Sequence, residues 1–295
     1  MPVSRVACRI LRSRLATVWS GLQDACVDRP DADAVHRLRV ATRRGLAALE
    51  AFDELVPRRH RDWFRRRLRR IRRVAGEARD LDVLVQALEP DDAAAAIPPG
   101  ARARVRLVAM LSRQRLQSRQ PIRELRDRLV AADWAGRLER LLDRMTRYGR
   151  DETFTCYAVR RFKPLMRRFF DRADRRLEDD RELHRLRIEG KKLRYTLEIF
   201  APVFAPRVRV RCEGSLQRLQ ATLGTFTDHA AAADRFRRWA KEDGLRSVRG
   251  TLTSLRRHES SRADRARKSF AKWWKPARRR ALRRTLTRSL RLDSA

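Results

Sequence analysis

Apolar residues recur at spacings of three and four along nearly the whole chain, and period-two runs of β-branched residues are missing. This pattern predicts an all-α protein. Asp28, Arg29, Pro30 and Asp31 separate a first helix from a second, which ends near Pro57, and a third covers about 62–88. The stretch EPDDAAAAIPPGA at 89–101 reads as a loop, with acidic residues and prolines at its edges. Further helices fill 102–150, with a break near Ala131, Ala132 and Asp133.

The second half repeats this plan. VHRLRVATRRGLAALEAF begins at Val35 and LHRLRIEGKKLRYTLEIF at Leu183, an ungapped offset of 148 residues. His36 falls on His184, Arg39 on Arg187, the pair Arg43–Arg44 on Lys191–Lys192, Glu50 on Glu198 and Phe52 on Phe200. Further on, Leu68 falls on Leu216, Gly76 on Gly224 and Asp80 on Asp228. Composition bias does not hold a register over such a length. The expected organisation is two copies of one helical unit, 1–150 and 151–276, followed by a basic C-terminal tail at 277–295.

At 3.6 residues per turn the second helix of each copy has two faces. Leu38, Ala41, Gly45, Leu49 and Phe52 fall on one side; His36, Arg39, Arg43, Ala47 and Glu50 gather opposite, with Arg44 at the flank. In the second copy Leu186, Leu193, Leu197 and Phe200 form the apolar stripe. His184, Arg187, Lys191, Tyr195 and Glu198 stand against it, flanked by Lys192 and Arg194. Like charges on adjacent turns repel by a few tenths of a kcal/mol per pair. A bound polyanion offsets that cost: guanidinium forks grip phosphate oxygens in bidentate fashion and ammonium groups act as point charges. Two such faces can line one groove suited to an extended phosphate chain. The competing reading is a solvated basic surface.

The rest of the composition narrows the class. Net charge is +36, with 66 of 73 basic residues arginine, which calls for an anionic partner. A GC-rich genome also raises arginine, so charge alone does not name the anion. Cys8, Cys26, Cys156 and Cys212 lie far apart without a CxxC pair, as expected of reduced thiols in a cytoplasmic protein. The N-terminal segment interrupts each apolar run with arginine, unlike a signal peptide, and no window has the length of a membrane span.

His36 and His184 have no carboxylate at i+4 to complete a metal site, and no base or nucleotide site accompanies them as phosphoryl acceptors. A hydrogen bond to phosphate or to glutamate and a purely structural role both remain open for them. Gly76 and Gly224 sit in mid-helix, where glycine costs about 1 kcal/mol relative to alanine. Close helix–helix approach is the expected return. Asp80 and Asp228 are expected to pair with basic residues of the second helix; a catalytic carboxylate pair is the sharper alternative.

VHRLRVATRR, EARDLDVL, LHRLRIEGKKLRYTLE and LQATLG resemble the CHAD domain, named for conserved histidines on an α-helical domain, and FAKWWKP at 270–276 is similar to its aromatic close. The resemblance implies two pseudo-symmetric four-helix bundles with a basic groove or channel between them that binds inorganic polyphosphate, in some members on polyphosphate granules. Carried over residue by residue, the polyphosphate-binding positions are His36, Arg39, Arg43, Arg44, His184, Arg187, Lys191, Lys192 and Arg194, with Tyr195 a weaker candidate. Two departures stand out: Gly45 replaces a leucine, and Thr227 stands where asparagine often precedes Asp228.

No E-x-E-x-K motif of a CYTH triphosphatase occurs, nor a P-loop or GxGxxG, so a stand-alone, non-catalytic binding domain without cofactor or metal is expected. Two other classes stay open. A nucleic-acid-binding protein would share the electrostatics, but no zinc finger, RRM signature or helix-turn-helix is present. A histidine-dependent phosphotransferase or polyphosphate hydrolase would need a metal or base that the sequence does not show.

Overall fold

In a computed structural model the chain is described at all positions except 28–32, 89–100, 148–150, 176, 178 and 293–295. Among the described residues it is helical, with no strand beyond a single bridge between Pro2 and Thr153. It divides into two compact units, Met1–Phe154 and Thr155–Ala295. The turn at Asp28 to Asp31, the loop at 89–100 and the boundary near Arg150 lie outside the described residues; Ala101, read as loop, opens a helix.

The first unit contains α1 (Val3–Asp24), α2 (Ala34–Ala51), α3 (Arg58–Leu88), α4 (Ala101–Gln117), α5 (Gln120–Ala131) and α6 (Trp134–Arg147). These are six helices among the described residues, where the family resemblance implied a four-helix bundle and the sequence pattern a break near Asp133. Asp133 explains one division: it adopts a left-handed φ of 52°, and its carboxylate accepts from Gly136 N at 3.0 Å, ending α5 and starting α6. Pro121 in the first turn of α5 explains the other, since it lacks the N–H that a continuing helix needs. The core forms where α1 packs on α2 and α2 on α3. Leu11, Leu15, Val18, Leu38, Leu49, Phe52, Phe64 and Leu68 are fully buried there. Gly45 faces Val18, Leu68 and Leu15, so α1 and α3 fill the space of the missing leucine. The two ends of the unit are tied by Val3 N to Glu152 O and Phe154 N to Met1 O, both at 3.0 Å.

The second unit contains α7 (Phe154–Ala173), which begins on the last residue of the first, α8 (Asp180–Ile199), α9 (Pro206–Trp239), α10 (Arg249–Trp273) and α11 (Pro276–Leu292), with short 3-10 turns at Ala201–Val203 and Asp243–Val248. Asp179 caps α8 by accepting from Arg181 N at 3.0 Å, and Asp180 and Glu182 place negative charge in its first turn. The core is built from Phe162 and Phe169 of α7, Leu186, Leu193 and Leu197 of α8, Leu216, Leu219 and Leu223 of α9 and Phe270 of α10. No helix among the described residues is long and apolar enough to cross a membrane.

Of the segment at 277–295, expected to be a solvated or partly helical tail, the described residues form α11, which packs beside α9 rather than being solvated throughout. Leu282, Leu286 and Leu290, four residues apart, are buried in one stripe beside α9. On the flank, Arg283 bonds Asp174 at 2.6 Å and lies 4.7 Å over the Phe170 ring. The density of arginine conceals an amphipathic helix. Leu286→Ala should therefore lower stability by about 2–5 kcal/mol, the usual cost of emptying a fully buried leucine site. Urea unfolding reads this directly; an unchanged midpoint would show that α11 is not part of the core.

Candidate functional site

Burial of Leu38, Leu49 and Phe52 fixes the orientation of α2, and with it the cations opposite. Arg39 leans onto α3. Its Nη1 donates to Gly76 O at 2.9 Å and lies 3.5 Å from Asp80 Oδ1. A methyl group added at Gly76 would sit 3.4 Å from that same nitrogen. The mid-helix glycine, expected to permit helix–helix approach, thus makes a seat for a guanidinium. Arg43, one turn on from Arg39, is half-buried; its Nε is shielded from solvent with no hydrogen-bond partner among the described residues.

His36 is exposed at the start of the same face. Partial burial pushes its imidazole below the ordinary 6.5, and Arg79, Arg43 and Arg39 push the same way, against Asp33 alone. Arg79 exerts the largest charge effect on His36, yet sequence reasoning missed it. The repeat could not reveal it, because the 148-residue offset sets Arg79 against Thr227. His36, Arg39, Arg43 and Arg79 thus form one cationic group across α2 and α3, with Arg44 half-buried at its edge.

The second unit also places a guanidinium at a helical glycine. Arg187 Nη2 would lie 3.6 Å from a methyl group at Gly224, so this guanidinium also rests over a helical glycine. The Gly224 carbonyl accepts from the Thr227 hydroxyl at 3.0 Å. The departure at Thr227 thus puts a hydroxyl on the carbonyl of this glycine. His184 and Asp228 are exposed, and Lys191 is half-buried.

Along α8, Lys192 pairs with Glu189 at 3.0 Å. Arg194 Nε donates to Gln220 Oε1 at 2.9 Å, and Gln220 Nε2 donates to Gly190 O at 3.1 Å. The Arg194 guanidinium also covers the Tyr195 ring at 4.5 Å. Tyr195, read as part of the polar face, is only 7% exposed; it supports Arg194 rather than presenting its own ring to solvent. Glu189 and Gln220 went unnoticed in the sequence because neither has a charged or apolar pattern that marks it.

The sequence profile of the CHAD domain matches residues 9–237. The chain belongs to the CHAD family. Its fold is similar to a CHAD domain from the plant Ricinus communis, at 21% identity over 92% of each chain and a TM-score of 0.69. It is also similar to PptA from Streptomyces chartreusis, at 18% identity over 93% of this chain and 99% of that one, with a TM-score of 0.60. Both likenesses are of fold. No curated protein matches the sequence.

Within this CHAD domain no group of three or more His, Cys, Asp or Glu side chains that could hold a metal occurs among the described residues. The arrangement can serve anion binding: Arg39 is held by a backbone acceptor and Arg194 by a side-chain acceptor. Since the folded state holds the His36 proton less tightly than the unfolded chain does, His36 withdraws stability as pH falls through its ordinary value near 6.5. Arg79→Gln should raise the His36 pKa toward that value, measured by NMR titration of the imidazole. An unmoved His36 would show that Arg79 does not belong to the cluster.

Proposed function

We propose that this CHAD domain binds inorganic polyphosphate through the cations of α2 and α8 and performs no chemistry on it. The observation that carries the reading is the pair of seated guanidiniums, Arg39 over Gly76 and Arg187 over Gly224. Arg39 is held by its bond to the Gly76 carbonyl before any ligand arrives, so less side-chain freedom is lost on binding. Around them stand His36, Arg43, Arg44 and Arg79 in the first unit and His184, Lys191, Lys192 and Arg194 in the second. Many moderate contacts to one repeating polyanion suit this arrangement better than a small anion does. Family membership supports the same ligand, since the motifs of α2 and α8 are those through which the chain resembles polyphosphate-binding CHAD domains. A bound phosphate would also favour protonated His36, tightening binding as pH falls.

The internal repeat and the pseudo-symmetric design belong to this proposal. A chain engaged by both sets gains from high effective concentration of the second set once the first has bound. Action in the cytoplasm, at polyphosphate granules, follows from the ligand. The absence of E-x-E-x-K and P-loop motifs supports a role in binding rather than turnover.

Gly76→Leu tests the seat. It places a branched side chain where the Arg39 guanidinium rests, while leucine has a helix propensity better by about 1 kcal/mol. Stability should hold or rise, and affinity for long-chain polyphosphate should fall by about tenfold, the loss of one charge-assisted contact set. Charge reversal at Arg39 and Arg43 should weaken binding further. If those reversals only halve the number of chains bound and leave affinity intact, the two sets act separately; if Gly76→Leu and the reversals both leave binding unchanged, α2 is not the site.

A further inference from the structure

The opposite end of α3 carries a second cationic site that plays no part in the arrangement around Gly76. Arg59, His60 and Arg66 from α3 and Arg137, Arg140 and Arg144 from α6 line a cleft of about 410 Å³, floored by Trp63 and Phe64. His60 lies sixteen residues before Gly76, about 24 Å along a helix rising 1.5 Å per residue. One phosphate group therefore cannot touch both places.

The charges in this cleft are poorly neutralised. Asp133 takes Arg140 at 2.8 Å. Asp62 is engaged by Arg58 and Arg61, outside the cleft. Arg59, His60, Arg66, Arg137 and Arg144 have no carboxylate within 4.0 Å among the described residues. Arg137 is fixed: its Nε donates to Ala132 O at 2.8 Å, and its guanidinium lies 4.9 Å over the Trp63 ring. Partial burial lowers the His60 pKa, and Arg144, Arg59, Arg137 and Arg140 all lower it further, so the cations converge on the imidazole.

The chemistry of the lining chooses the ligand. Trp63 is already covered by Arg67 at 5.2 Å and Arg137 at 4.9 Å and packs edge-on against Phe64, so no aromatic platform is offered to a base. We propose that this cleft binds a compact inorganic oligophosphate, two or three phosphate groups long, independently of the proposed site on α2 and α8. Arg59, Arg66 and Arg144, which make no ion pair among the described residues, supply the direct contacts, with His60 protonated against the bound anion. Arg137 and Trp63 hold the floor.

Tripolyphosphate and ATP are the probes, with His60 followed by NMR and binding by calorimetry on the full chain. Saturating tripolyphosphate should raise the His60 pKa above its free value. Arg66→Gln combined with Arg144→Gln should weaken that response by about tenfold or more, given the strength of charge-assisted contacts to phosphate. Arg39→Gln combined with Arg43→Gln should leave it intact, which separates failure here from failure of the α2 and α8 site. A His60 resonance indifferent to tripolyphosphate overturns the proposal, and so does a response unaltered by the Arg66 and Arg144 changes. Tighter binding of ATP than of tripolyphosphate would contradict an oligophosphate site.

Discussion

A guanidinium resting on a bare turn of helix is the contact on which the α2 face depends. Arg39 reaches the Gly76 carbonyl at 2.9 Å, and the absent Cβ lets it lie there. Glycine in mid-helix costs about 1 kcal/mol against alanine, and the bond to arginine offsets it. The consequence is positional. An arginine that would otherwise sweep a large volume is anchored by one nitrogen, with Asp80 3.5 Å away to limit its repulsion with Arg43 and Arg79. In the second unit Arg187 likewise lies over a helical glycine, Gly224, whose carbonyl accepts from the Thr227 hydroxyl.

The opposite face makes the seat possible. Leu38, Leu49 and Phe52, and likewise Leu186, Leu197 and Phe200, are wholly withdrawn from water, which fixes the rotation of α2 and α8. A face fixed in this way can carry several like charges, because the burial of large apolar side chains outweighs tenths of a kcal/mol per repelling pair. Much of the basic charge is thereby carried on faces of folded helices.

Features with a short-range cause were legible in the sequence. The helical class, the two faces of α2 and the break at Asp133 follow from spacing within a few turns. The partners of those faces were harder to read. Gly76 was singled out correctly, but sequence does not distinguish a glycine that admits a helix from one that admits a side chain. The expected 148-residue offset did not point to Arg79, because it sets that residue against Thr227. Tyr195 falls on the polar arc by angle, yet a long aromatic ring reaches sideways beneath Arg194 and is covered. The C-terminal helix was misread because arginine dominates its composition, although Leu282, Leu286 and Leu290 mark its buried stripe. The His60 cleft joins residues some eighty positions apart with no matching motif, and only the packing of α6 near α3 brings them together.

On the proposed reading nucleic acid is the natural competitor, since its phosphates would meet the same guanidiniums. The faces of α2 and of α8 each carry cations, and the aromatic read on the α8 face, Tyr195, is buried, so on the proposed reading the denser charge of polyphosphate is the better match. Competition at physiological salt decides between them: labelled duplex DNA bound to the protein, titrated with long-chain polyphosphate, and the reverse. Polyphosphate should displace DNA at equal concentration of phosphate, with DNA unable to displace polyphosphate; DNA holding its place against excess polyphosphate would contradict the account.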